Sequence, residues 1–203
     1  MMMQPMLRPV KIGLFLGLAS LLFGIFWAAY ITVNHEGIHR DLADRDRTRL
    51  EETFILSSPP KSEAAALKHV AHNHSHDKGT AGNNGADAAR GDHSSGLMAQ
   101  AHERLTRGHI HAMGLGLVSI VVSLILAFVS ARLMVKTFAS ACAGVGGFFY
   151  PFAWIIMGYR TASIGAEAAA KSVLPIVVFS VTLVAAGILI CMFYIVRTIV
   201  KGD

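Results

Sequence analysis

All ten histidines of this 203-residue chain fall between positions 35 and 111. Neutral imidazole ligates Zn, Cu, Ni and haem iron, so the chemistry depends on which of them the chain brings together. His35-Glu36-Gly37-Ile38-His39 sets two imidazoles one helical turn apart. This is the H-E-x-x-H spacing in which both histidines bind zinc and the glutamate acts as base. Zinc-peptidase helices continue with an uncharged and then an apolar residue, whereas Arg40 and Asp41 follow here. With no evident substrate-binding domain, a metal pair is the better reading than a peptidase. His72, His74 and His76 alternate and precede Asp77. An extended chain presents all three together, which suits exchangeable capture of Zn, Ni or Cu, though the same tract reads as low-complexity linker. His102, His109 and His111 form the third group.

These histidines need elements to hold them. The chain is 53% hydrophobic and 15% charged, with mean hydropathy +0.50, against about a quarter charged in soluble domains. The missing charges leave four runs, 12–33, 109–131, 137–159 and 174–196, without a single Asp, Glu, Lys or Arg. Each is long enough for a helix to cross the hydrocarbon layer, which takes roughly 20 residues. The expected fold is therefore all-α, an integral membrane four-helix bundle whose first partner is the lipid bilayer. The first run follows Arg8 and Lys11 like a signal peptide, but it exceeds a usual h-region and lacks an A-x-A site, so it reads as an uncleaved anchor.

Arg8 and Lys11, Arg132 and Lys136, and Arg197 and Lys201 all fall on one side of a four-span topology. Short Lys/Arg-rich loops stay in the cytoplasm, so both termini are expected inside, in the manner of a bacterial inner-membrane protein. Residues 34–108 and the short loop 160–173 then lie outside. The long segment carries ten Lys/Arg and eleven Asp/Glu, and no dense basic run alternates with aromatics, so no nucleic-acid partner is expected. Within it, Arg40–Leu56 reads as a charged helical extension with Asp41/Arg45 and Arg47/Glu51 at i,i+4. Helical patterns recur at 60–70 and 97–108, and the Gly/Asn/Asp/His-rich stretch 72–96 reads as a disordered linker.

Small residues mark the faces on which membrane helices meet. Gly108, Ala112, Gly116, Ser119 and Ser123 share one arc of span two, bordered by His109 and, seven residues earlier, His102; His111 falls on the opposite side of the wheel. In span three Ala139, Ala143, Gly146, Gly147, Tyr150, Trp154 and Met157 share a face, with Phe148, Phe152, Ile155 and Ile156 opposite, and Pro151 is expected to kink the helix. Ser180, Gly187, Cys191 and Tyr194 align on span four, and Gly13 and Gly17 form a GxxxG. Cys142 and Cys191 lie in no CxxC or CxxCH, which excludes c-type haem attachment and a Cys-rich zinc site. A structural disulfide is not expected between them.

The exits of spans one and two bring His35, Glu36 and His39 to the level of His109 and His111 across 69 intervening residues. The candidate metal ligands are His35, His39 and His109, then His102 and His111, holding Zn or Cu. A haem b would sit at the outer end, with His109 and one of His35, His39, His102 or Met157 as axial ligands and Tyr150 and Trp154 lining its pocket. The function expected is a non-enzymatic accessory subunit that binds a transition metal or haem at its outer face in a redox or metal-handling system. The competing reading is a structural subunit that docks other membrane subunits through the small-residue faces, with the histidines merely anchoring helix ends at the headgroups. A transporter is disfavoured because no span carries the ionisable residues that mark ion paths.

Overall fold

The computed structural model describes the backbone of residues 7–57 and 84–201, and the side chains of 7–55 and 96–200. After a 3-10 turn at Arg8–Val10 come five helices: α1 Lys11–Val33, α2 His35–Ser57, α3 Asn84–Phe128, α4 Leu133–Ile164 and α5 Ala166–Lys201. Four helical segments, Arg8–Val33, Gly96–Phe128, Leu133–Ile164 and Ala166–Val200, are long and apolar enough to span a membrane.

The first membrane helix barely ends. At Asn34 the backbone N–H still bonds Tyr30 O at 2.9 Å, and Ile38 N–H bonds Asn34 O at 2.9 Å, so α1 feeds directly into α2. The two expected pairs on α2 form at 3.0 Å each, Arg45 with Asp41 and Arg47 with Glu51. The expected helix at 60–70 lies outside the described residues, as do His72, His74 and His76.

Two expected loops are shorter than the sequence pattern suggests. Helix α3 starts at Asn84, so the second half of the 72–96 stretch is helical backbone. Once the turns that follow are anchored by packing, each added residue gains a hydrogen bond without a new nucleus. The 160–173 loop is reduced to Gly165, whose φ of 83° is open to glycine at little steric cost. On its far side Ala166-Glu167-Ala168-Ala169-Ala170-Lys171 starts α5 at once. Alanine is the best helix former, and Glu167 pairs with Lys171 at 2.7 Å.

Helix α4 is the centre of the bundle. Half of its apolar stretch is buried, against 22% for α1 and 17% for α5. Its small-residue face is buried as expected, and the opposite face is covered in part: Phe152 stacks on Phe23 of α1 at 4.7 Å and Ile155 fills the notch at Gly108 of α3, while Ile156 stays exposed. Glycines set the close approaches. A Cβ on Gly17 would come within 2.9 Å of Gly116 O, and one on Gly187 within 2.8 Å of Ala139 O.

Hydroxyls cross-link these contacts. Ser20 Oγ donates to Ala112 O, Ser119 Oγ to Ala143 O, and Ser123 Oγ meets Ser140 Oγ, each at 2.8 Å. Such intramembrane bonds contribute about 0.6 kcal/mol apiece, so they set register more than they supply stability. At the Arg132 turn, Lys136 Nζ donates to Ala127 O at 3.0 Å, a cation on the terminal carbonyls of α3. Cys142 and Cys191 are buried free thiols.

Candidate metal centre

The antiparallel register of α1–α2 against α3 decides which histidines meet. Gly24 lies against His109 O, and three residues on, Trp27 Nε1 donates to Leu105 O at 3.1 Å. Moving outward along α1 therefore means moving towards lower numbers on α3. Past Asn34, the partners of α2 come from the turns before Leu105. Ile38 and Leu42 of α2 accordingly bury with Ile31 of α1, Ala101 and Leu105 of α3, and Ala162 of α4. Two histidines are next in sequence to members of this apolar seam: His39 follows Ile38, and His102 follows Ala101.

His35, His39 and His102 converge at the edge of that seam. One possible ligand nitrogen from each lies within 4.8 Å of the others, and this is the one three-ligand group among the described residues. The ring centroids are 4.4 Å apart for His35–His39, 5.2 Å for His35–His102 and 5.0 Å for His39–His102. His35 is exposed and the other two are half-buried. His102 Nδ1 is buried and has no hydrogen-bond partner. A buried ring nitrogen left this way is costly, and a cation bound at that atom removes the cost.

The cluster is capable of coordinating a metal ion. Three imidazole nitrogens with a fourth direction open to solvent match the three-ligand zinc arrangement. Tetrahedral ligation at 2.0–2.1 Å places nitrogens about 3.3 Å apart, so the rings need to close by at most about 1.5 Å. Glu36 is not arranged as a catalytic base: its side chain is 85% exposed, and its carboxylate accepts from Arg40 at 3.3 Å.

The other expected ligands lie elsewhere. His109 is seven residues from His102, about 10 Å along α3; its carbonyl lies against Gly24 of α1, and its Nδ1 is buried and unpartnered. His111 does not turn away from the bundle as its wheel position suggests. It stacks on Trp154 at 5.2 Å and meets Tyr150 edge-on at 5.1 Å. Because α3 is flanked by α1 on one side and α4 on the other, both of its faces are occupied. Tyr150 and Trp154 therefore surround His111 rather than His109, while Met157 is buried with Ala153, Ala169 and Val173.

A residue that sequence reasoning passed over ties this end together. Arg104 donates from one guanidinium nitrogen to Thr161 Oγ1 at 2.6 Å and to Ala166 O at 3.1 Å. It clips α3 to both sides of the Gly165 corner. The available signal was an arginine two residues from His102 on the approach to an apolar run. Comparison with known protein families, characterised proteins and solved structures finds no match to this chain.

Proposed function

We propose that the chain is a non-enzymatic membrane protein that binds one transition-metal ion, of the Zn or Cu class, through His35, His39 and His102, and serves as an accessory subunit in a metal-handling or redox system. The observation that carries this reading is the convergence of three imidazoles from two helices on ligand nitrogens within 4.8 Å of one another. Histidines that merely anchor helix ends at headgroups have no reason to share one point. The half-open setting favours exchange over permanent structural storage, since structural zinc sites are closed by four protein ligands. With Lys/Arg-rich turns held in the cytoplasm, the site faces the outer side of a bacterial inner membrane. Haem b is less well supported, because the rings of the triad are too close together to sit on opposite faces of a porphyrin.

The test is metal stoichiometry on the full chain purified in mild detergent. After equilibrium dialysis against zinc, the wild type retains one ion per chain, and Co(II) substitution gives the visible absorption of a tetrahedral site. His39→Ala and His102→Ala each lose the bound ion while His109→Ala keeps it. Retention in both triad variants would refute the site.

A further inference from the structure

A second site lies deeper in the bundle and uses none of the triad. His111 and Leu115 of α3, Tyr150 of α4, and Val184, Ala185 and Ile188 of α5 line a cleft of about 370 Å³, within the roughly 300–1,000 Å³ range of small-ligand sites. Tyr150 lies near the middle of α4 and Ala185 near the middle of α5, so the cleft lies within the apolar stretches of both helices.

Its walls are aliphatic except at one end, where two polar side chains meet. The His111 ring is held in place by Trp154 behind it and Tyr150 beside it. Yet among the described residues neither its ring nitrogens nor the Tyr150 hydroxyl has a hydrogen-bond partner. Polar groups at membrane depth normally find a partner in protein or water. Both side chains are half-buried, so at the end of an apolar slot they offer hydrogen-bonding atoms to a ligand that enters it.

We propose that this cleft binds a lipid-soluble quinone, one carbonyl oxygen accepting from both His111 and Tyr150 and its isoprenoid tail lying along Val184 and Ile188. The observations select among hydrophobic ligands. An acyl chain leaves both donors unsatisfied. A phospholipid headgroup needs a cation, and none lines the cleft; Arg107, one turn above His111, is placed over the Trp154 ring at 5.3 Å and bonded to Glu103. Haem held from both faces needs ligands on opposite sides of its plane, whereas His111 and Tyr150 meet edge-on at the same end of the cleft. A neutral planar ring with a carbonyl acceptor at one end and an apolar tail at the other fits all three features.

The chain has two tryptophans, so a Trp27→Phe background leaves Trp154, stacked against His111, as the reporter. In nanodiscs, ubiquinone-1 quenches its fluorescence saturably. His111→Leu and Tyr150→Phe each weaken binding about two- to tenfold, the range of one neutral hydrogen bond, and Ala185→Phe, which fills the slot from α5, abolishes it. Butylbenzene, with the ring but no acceptor, does not compete. Quenching that is linear in every variant, or equal competition by butylbenzene, overturns the proposal. Should His111→Leu fail to fold by helicity and size-exclusion, Ala185→Phe carries the same test. Zinc stoichiometry at the triad is measured alongside and does not depend on the outcome.

Discussion

Zinc should raise the unfolding temperature of this protein, and only through the triad. In the apo chain, α2 is held over α3 by Ile38, Leu42, Ala101 and Leu105 and by no hydrogen bond between the two helices among those described. Ligation by His35 and His39 on one side and His102 on the other adds a link there, closing nitrogens that lie within 4.8 Å. A ligand at one hundred times its Kd stabilises the folded state by about 2.7 kcal/mol. For a chain of this size each kcal/mol moves the midpoint by about 2–4 °C, so the expected rise is roughly 5–10 °C. The protein supplies its own probe. Cys142 and Cys191 are free and only 5% and 3% exposed, so a fluorogenic maleimide reacts as the bundle opens. His39→Ala and His102→Ala should keep the apo midpoint within a few degrees and lose most of the zinc-dependent rise. An unchanged wild-type midpoint, or the same rise in His102→Ala, would refute the reasoning.

Zinc affinity should be lower at pH 5.5 than at pH 7.5, because protons compete for the neutral ligand form; dialysis at both values measures it, and a flat profile excludes imidazole ligation. Arg104→Met should cost about 2–3 kcal/mol through the loss of two charge-assisted bonds, seen as a lower midpoint in the same thiol assay. Gly146→Ala should cost about 1–3 kcal/mol by overpacking, since its Cβ would sit 2.5 Å from Ser180 O. Gly114→Ala, with nothing within 4 Å, should be neutral or stabilising. A cysteine at exposed Gly37 should react with a membrane-impermeant maleimide in intact cells; labelling only after permeabilisation would reverse the orientation.

Much of the site was legible before the fold. The i,i+4 spacing of His35 and His39 reads as a ligand pair on any helix, and the seven-residue offset between His102 and His109 puts them on one side of α3. What spacing could not choose was which of those two reaches α2. Reading spans one and two as starting level favoured His109; the register read from Trp27 and Leu105 selects His102. The helical wheel of α3 likewise placed His111 opposite the small-residue arc, without showing that a second helix covers that side.

The four membrane helices and the buried arc of α3 follow from composition alone, because transfer into hydrocarbon depends on local apolar content and close packing on local small residues. The choice of His102, the corner clipped by Arg104, the central place of α4 and the cleft beside His111 belong to the tertiary structure. Each depends on how far one helix slides along another. That displacement is set by notches and hydroxyls on both partners at once, at Gly17 against Gly116 and Ser123 against Ser140, and no single segment of chain contains it.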